Sequence, residues 1–163
     1  MRNNNPLPSL GLAVLLTLGA GLPGLRPGFG PPPSPAGISL MSMTEISGGQ
    51  NGHYVVDASI NNTTVTALID TGASTVALSY EDADRVGLHP HSLTYDIPVN
   101  TANGQVKAAR AKLSRVEIDT VRVDDVDAMV LPEGALRGTL LGMSFLSKLS
   151  SFKSENGTLT LKN

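Results

Sequence analysis

Apolar and polar residues alternate along most of residues 53–163, and this alternation predicts short β-strands. Turn-forming residues interrupt the pattern at Asn61-Asn62, at the segment TANG (residues 101–104) and at Asn156-Gly157, so each of these sites is predicted to join a hairpin. The predicted strands are residues 53–60, 63–70, 75–80, 95–100, 105–113, 114–119, 121–132, 150–154 and 158–162.

Two segments have helical rather than alternating patterns. Residues 79–88 begin with Ser79 as an N-cap, have Asp82 three residues later and end at Gly87, which predicts a short helix. A second short helix is predicted in residues 142–149, whose apolar residues have helical spacing: Met143, Phe145, Leu146 and Leu149. Many short strands with one or two short helices predict a mainly β fold, a small closed barrel-like domain.

The N-terminal part of the chain has a different character. Residues 10–22 carry no charge and follow Arg2, so residues 1–24 are predicted to be a signal-anchor or a signal peptide, and a retained anchor is favoured because no A-x-A cleavage site is evident. Residues 25–51 are rich in Pro, Gly and Ser and are predicted to be a linker. The folded domain is then expected at residues 52–163, exported from the cytoplasm.

Composition excludes several functions. The chain has 163 residues with a formal net charge of −2, so no basic surface for nucleic acid is expected. It has no Cys, which removes thiol nucleophiles and Cys-based zinc sites. His89 and His91 flank a proline without a third ligand nearby, and the acidic residues at 124–127 lack the glycine and distal Glu of a calcium loop. We therefore expect no metal and no cofactor.

One carboxylate interrupts an apolar stretch. In LIDTGASTVALS (residues 68–79), Asp70 directly follows Leu68 and Ile69 and precedes Gly72. Burying a carboxylate is costly unless it is hydrogen-bonded or functional. The tripeptide alone fits an ordinary turn, in which Asp caps and Gly takes a left-handed conformation. The apolar residues before it, the small residues after it and a second apolar segment, LLG at residues 140–142, favour a functional site.

These motifs resemble those of retropepsin-like aspartic proteases, and most closely the bacterial membrane-anchored, single-domain members. The resemblance rests on LIDTGASTVALS, the TANG hairpin and LLGMSFLSKL (residues 140–149), and it covers roughly residues 54–161. It implies a closed barrel-like fold that corresponds to half of a pepsin-type enzyme. It also implies an aspartic endopeptidase that needs no cofactor and acts on polypeptides.

The resemblance assigns a role to each motif residue. It makes Asp70 the catalytic aspartate, Thr71 a hydroxyl lock between subunits and Gly72 a close neighbour of the carboxylates. Residues expected to border the substrate cleft are Ala73, Ser74 and Thr75. The expected flap over the substrate consists of Thr101, Ala102, Asn103 and Gly104. The strand expected to brace the active-site loop contains Leu140, Leu141 and Gly142. Arg137, close to that strand, is expected in an exposed loop rather than in contact with substrate.

Such enzymes need two aspartates, and this chain has a single D-T-G and no D-S-G. The resemblance therefore implies a symmetric homodimer in which each chain supplies one Asp70. The expected location is the inner membrane, with the protease domain on the periplasmic side, or the periplasm itself if the N-terminus is cleaved. Two alternatives stay open: a non-catalytic module of the same fold that binds peptides or dimerises, and a structural β domain in which Asp70 is a turn cap.

Overall fold

The computed structural model describes residues 41–49, 52–101 and 104–163, which all fall in one compact unit, Ser39–Asn163. The predicted signal or anchor at residues 1–24, most of the predicted linker and the flap residues Ala102 and Asn103 lie outside the described residues. Within the described part, none of the helices has the length and apolar character needed to cross a membrane.

The described chain is mainly β, as the sequence predicts. Its strands are β1 (Met43–Ser47), β2 (Tyr54–Ile60), β3 (Thr63–Ile69), β4 (Val76–Leu78), β5 (Tyr95–Thr101), β6 (Gly104–Ile118), β7 (Val121–Val130), β8 (Thr139–Leu141), β9 (Ser151–Glu155) and β10 (Thr158–Lys162). Two short α-helices are α1 (Tyr80–Arg85) and α2 (Met143–Leu146), and a single 3₁₀ turn covers Pro90–Ser92.

Six strands close into a barrel in the order β2-β3-β8-β4-β7-β6. The barrel closes where β6 pairs with the end of β2, at Ser59↔Glu117 and Ile60↔Val116. The inward-facing side chains of the strands fill its interior, and the largest fully buried ones include Ile60, Leu78, Leu113 and Leu141. The alternating pattern of the sequence is therefore the pattern of a closed barrel with an apolar interior, and the predicted fold class is confirmed.

The asparagine turns form as predicted. Asn61 and Asn62 have φ values of 49° and 68°, and Asn156 and Gly157 have values of 51° and 77°. Asn and Gly tolerate this left-handed region better than other residues, and such turns match the twist of the strands that they join. The first turn joins β2 to β3 and the second joins β9 to β10.

Two boundaries differ from the sequence predictions. Residues 105–113 and 114–119 were predicted as separate strands, but β6 runs unbroken through both, because no Gly, Pro or Asn stops its ladder between Leu113↔Val126 and Arg115↔Asp124. The second difference is β1, which lies in the segment predicted as linker and pairs with β10. Its buried residues, Thr44 and Ile46, alternate with exposed ones. The folded domain thus begins before residue 52, and β1, β10 and β9 form a second, three-stranded sheet.

Helix α1 is joined to the barrel by a buried carboxylate. Ser79 caps the helix as predicted, since its Oγ accepts a hydrogen bond from the Asp82 N–H at 3.1 Å. The Asp82 carboxylate then accepts hydrogen bonds from the Thr139 hydroxyl in β8, at 2.9 Å, and from Arg85, at 3.1 Å. Asp82 and Thr139 are only 8% and 2% exposed. This contact fixes the helix against the start of β8.

We expect Asp82→Ala to lower the free energy of unfolding by about 1–3 kcal/mol, because the buried Thr139 hydroxyl loses its acceptor. Urea denaturation measures the loss. Asp84→Ala is the matched control: Asp84 is exposed on the same helix, so its loss should change stability by less than about 0.5 kcal/mol. The double variant Asp82→Ala/Thr139→Val should recover part of the loss, and equal effects at Asp82 and Asp84 would contradict the assignment.

Candidate active site

Asp70 lies where β3 leaves the barrel, at the base of an open cleft of about 880 Å³. Its backbone N–H donates to the Leu141 carbonyl at 3.1 Å, which continues the parallel pairing of β3 with β8 for one more residue. Its side chain is half-buried and lines the cleft. Asp70 is the only carboxylate among the described residues that line this cleft.

A tight turn holds the Asp70 carboxylate in place. The Gly72 N–H donates to Asp70 Oδ1 at 2.8 Å, and the Ala73 N–H donates to the Asp70 carbonyl at 3.3 Å. A Cβ at residue 72 would lie 3.1 Å from Oδ1, closer than such contacts normally come. The glycine therefore lets the backbone approach the carboxylate, as the motif predicts. Oδ2 has no hydrogen-bond partner among the described residues, so it is available for other chemistry.

The active-site loop, residues 70–75, is clamped by the segment after β8. β8 lies between β3 and β4, parallel to the first and antiparallel to the second. Beyond it, the Met143 N–H donates to the Ala73 carbonyl at 2.8 Å and the Ser144 N–H donates to the Ser74 carbonyl at 3.1 Å. Leu141 is fully buried, whereas Leu140 faces the cleft. The structure thus brings the two predicted motifs together.

Gly142 is the point of closest approach between these segments. A Cβ at this position would lie 2.3 Å from the Thr75 carbonyl oxygen and 2.6 Å from that of Ala73. Both are backbone atoms of the active-site loop, so neither can rotate away as a flexible side chain would. Only a residue without a Cβ lets the loop and the end of β8 come this close.

Ser144 is a further part of the clamp, and the sequence analysis did not identify it. Its hydroxyl accepts from the Val76 N–H at 2.8 Å and donates to the Asp127 carbonyl at 2.6 Å. It therefore ties the end of the active-site loop to β7. The sequence feature that could have identified Ser144 is its position in the first turn of a predicted helix, where a serine hydroxyl is close to unpaired backbone groups.

The predicted flap is a hairpin of β5 and β6 over the cleft. Its strands pair up to Val99↔Val106 and Thr101↔Gly104, and the Thr101 hydroxyl donates to the Gly104 carbonyl at 2.8 Å. Gly104 has a φ of 111°, a value that a branched side chain would resist. Residues 99–101 line the cleft on this side. The hairpin thus forms one wall of the cleft in the described residues.

The opposite wall comes from residues 134–137, between β7 and β8. The sequence analysis did not assign this segment to the site. It treated Arg137 as part of an exposed loop, and Arg137 is indeed exposed, but it lines the same cleft as Asp70. Between the walls, the outer faces of the barrel strands β4, β7 and β8 contribute an apolar surface formed by Ala77, Met129 and Leu140.

Thr71 points toward a second, smaller cavity of about 400 Å³ that also reaches Asp70. This cavity lies toward the three-stranded sheet, and its lining includes Tyr54, Phe152 and Leu159. Thr71 is exposed, and its hydroxyl has no hydrogen-bond partner in the described part of the chain. Asp70 is therefore open to solvent on two sides.

Charged groups elsewhere do not bear on this site. Burial and the neighbouring Tyr80 raise the pKa of Tyr95, whose hydroxyl donates to the Pro90 carbonyl. Hydrogen bonds from Arg122 and Arg115 lower the pKa of Asp124, which is exposed on β7. Across the described residues, no cluster of three or more His, Cys, Asp or Glu could hold a metal ion.

Comparison with protein families gives a match over residues 56–148, more than half of the chain, to the family described as "gag-polyprotein putative aspartyl protease". The matched residues include β3, the active-site loop and β8. An uncharacterised protein from the cobV 5′ region of Sinorhizobium sp. is 39% identical over 69% of this chain and 48% of its own length. An uncharacterised protein of Rickettsia prowazekii is 37% identical over 68% and 47%. The chain thus spans about half the length of these curated relatives.

Solved structures are similar as well. A retropepsin-like aspartic protease from Rickettsia conorii superposes with a TM-score of 0.67 and 33% identity, over 75% of this chain and 91% of that one. The EIAV protease, solved with the inhibitor HBY-793, superposes with a TM-score of 0.50 and 19% identity, over 62% and 91%. The second likeness concerns the fold alone.

We expect Gly142→Ala to lower the free energy of unfolding by about 3 kcal/mol, because the new methyl group would force the active-site loop away from β8. Amide hydrogen exchange at Val76 should also become faster, since its hydrogen bond depends on this clamp. Gly49→Ala is the control, because its Cβ would meet only the His53 carbonyl, at an ordinary 3.4 Å. If the two substitutions had the same effect, the close approach at Gly142 would be contradicted.

Proposed function

The chain belongs to the gag-polyprotein aspartyl protease family and has the retropepsin-like fold, and on this basis we propose that it is an aspartic endopeptidase whose active site forms between two copies of the chain. The observation that carries the proposal is the single carboxylate of Asp70 at the base of the cleft. One of its oxygens is fixed by the Gly72 N–H, and the other has no partner among the described residues.

A lone carboxylate does not supply both an acid and a base. Hydrolysis of a peptide bond needs a base that takes a proton from water and an acid that gives one to the carbonyl oxygen. Two carboxylates about 3 Å apart cannot both ionise, so they hold one proton between them and supply both functions. The cleft contributes one such group, which supports a site shared by two identical chains.

The reaction then proceeds with balanced proton transfers. The ionised Asp70 takes a proton from water, and the water oxygen attacks the carbonyl carbon. The protonated Asp70 of the other copy gives its proton to the carbonyl oxygen, which yields a tetrahedral diol. The C–N bond then breaks. One diol hydroxyl gives its proton to the carboxylate that is now ionised, and the leaving nitrogen takes the proton of the other Asp70 carboxyl group. The fixed position of Oδ1 keeps the carboxylate oriented through these steps.

The second cavity supports this arrangement. Its lining combines the Thr71 hydroxyl with apolar side chains of the three-stranded sheet, Phe152 and Leu159. In the proposed dimer this side of Asp70 faces the other copy, and the two Thr71 hydroxyls bind across the twofold axis. An exposed hydroxyl beside a partly exposed aromatic ring, here Phe152, is typical of such a surface.

The substrate is proposed to be a polypeptide in an extended conformation. It would lie between the flap hairpin and residues 134–137, over the apolar surface of Ala77, Met129 and Leu140. Those side chains favour apolar residues next to the bond that is cut. We further propose that residues 1–24 hold the protein in the inner membrane with its protease domain in the periplasm; the uncharged segment of residues 10–22 supports this.

Asp70→Asn should abolish peptide hydrolysis, with kcat falling by about 10⁴-fold, because an amide neither accepts nor returns the proton. Its Oδ1 still accepts from the Gly72 N–H, so the fold should persist. The test is cleavage of a peptide library by the purified full chain, with circular dichroism as the check on folding. Undiminished hydrolysis by a folded, pure Asp70→Asn chain would overturn the catalytic assignment.

The Asp70→Asn variant also tests whether two chains share one active site or whether each chain carries a complete one. When folded Asp70→Asn chain is mixed with an equal amount of wild type, about one quarter of random dimers carry two Asp70 residues, so wild-type activity should fall to about half. An equal amount of Gly49→Ala chain, which keeps Asp70, is the control and should about double the total activity instead of lowering it. Activity that stays constant with added Asp70→Asn chain would mean that each chain acts alone.

A further inference from the structure

Arg137 is the only positively charged side chain among the described residues that line the cleft. The other ionisable group in that lining is Asp70 itself. The two flap residues outside the described part, Ala102 and Asn103, carry no charge in the sequence. Apart from Asp70, a peptide in the cleft would therefore meet a surface of uncharged residues with a single cation at its wall.

The backbone that carries Arg137 is fixed at both ends of its loop. Before the loop, the Leu131 N–H donates to the Leu78 carbonyl at 3.0 Å. After it, the Gly138 carbonyl accepts from the Ser79 N–H at 3.0 Å. The residues that bond to the two ends of the loop lie on β4 or directly after it. Both ends of the loop are therefore attached to the same part of the barrel, and β4 also lines the cleft at Ala77. Arg137 thus has a fixed position although its side chain is exposed.

The guanidinium group of Arg137 differs in its contacts from those of three other described arginines. Arg85, Arg115 and Arg122 each form an ion pair with an aspartate. Arg137 forms no hydrogen bond or ion pair with any residue that the structure describes. Its planar donors match a carboxylate, which they bind with two parallel hydrogen bonds. An ion pair with a described residue therefore does not explain why Arg137 lies in the wall of the cleft.

We propose that Arg137 selects substrates that carry an acidic side chain near the bond to be cut. The inference rests on the proposed peptidase function and adds a substrate class to it. Ile69, which precedes Asp70, pairs with Leu141, and Arg137 precedes Leu141 by four residues. The backbone bends at Arg137 and Gly138, so these four residues span at most about 13 Å, the length of fully extended chain. A bound extended peptide covers the same distance in about four residues, so the Asp or Glu lies within about four positions of the cut bond.

The twofold symmetry of the proposed dimer predicts where in the substrate the acidic residues should lie. A symmetric dimer presents Arg137 twice, once in each half of the shared cleft. The preference for acidic residues should therefore appear on both sides of the cut bond, at equal distances from it. A single basic side chain in an asymmetric site would select on one side only.

The test compares peptides that differ only by Glu, Gln or Lys at one position. Cleavage rates are measured with the full chain as wild type, Arg137→Gln and Arg137→Glu. Arg122→Gln is the matched control, because it removes the same charge from an exposed site outside the cleft lining. Binding of the same labelled peptides to the Asp70→Asn chain and to Asp70→Asn/Arg137→Gln is measured by fluorescence anisotropy.

We expect wild type to cleave the Glu peptides about fivefold faster than the Gln peptides, the upper range for an exposed ion pair. Arg137→Gln should abolish that ratio, so that the Glu and Gln peptides are cleaved at equal rates. Arg137→Glu should reverse the preference toward Lys peptides, which a merely structural role would not do. Arg122→Gln should behave as wild type.

The outcomes separate the two proposals. Hydrolysis with no acid preference, or with a preference that survives Arg137→Gln, overturns the role of Arg137 and leaves the peptidase intact. Absence of hydrolysis with Glu-selective binding that depends on Arg137 supports the recognition and overturns the peptidase. Absence of both hydrolysis and Glu-selective binding overturns both.

Discussion

The close contact between the active-site loop and the end of β8 is the constraint on which the rest of the site depends. Gly142 lets two backbone segments approach to a distance that any Cβ would forbid, and the hydrogen bonds from Met143 and Ser144 hold them there. This contact also fixes the position of Asp70. The Asp70 N–H donates to the Leu141 carbonyl, and the Asp70 carboxylate accepts from the Gly72 N–H. A short loop that would otherwise be flexible is thereby given a fixed geometry, as acid–base chemistry requires.

The features that could be predicted from the sequence are those that depend on interactions between residues close together in the chain. The hairpins at Asn61-Asn62 and Asn156-Gly157, the Ser79 cap and the strand alternation are local, and their predictions are confirmed. The retropepsin-like fold was predicted by resemblance and is confirmed by the comparisons. Ser144 and residues 134–137 were not assigned to the site, because their contacts join segments far apart in the chain. The pairing of β1 with β10 was missed for the same reason.

The two walls of the cleft differ in their chemistry. The flap side contributes Val99 and Thr101, which carry no charge, whereas the opposite wall contributes Arg137 on a loop anchored at both ends. The floor is apolar. In the function proposed above, an extended peptide would bind through apolar contacts near Asp70 and through one charged contact farther away, so that binding and chemistry would depend on different residues. Asp70 is the only carboxyl group among the described residues of the lining, so the proposed reaction requires a second carboxyl group from outside it.

The central claim is that a second copy of the chain completes the site next to Thr71. The chain has no cysteine, so a single Thr71→Cys substitution reports on this position alone. We expect mild oxidation to convert the Thr71→Cys chain into a disulfide-linked dimer, since residues on a twofold axis can bring their Cα atoms within about 7 Å. Asp84→Cys, at an exposed site on α1, is the control and should stay monomeric on denaturing gels. Cross-linking of Asp84→Cys but not of Thr71→Cys would contradict the shared site.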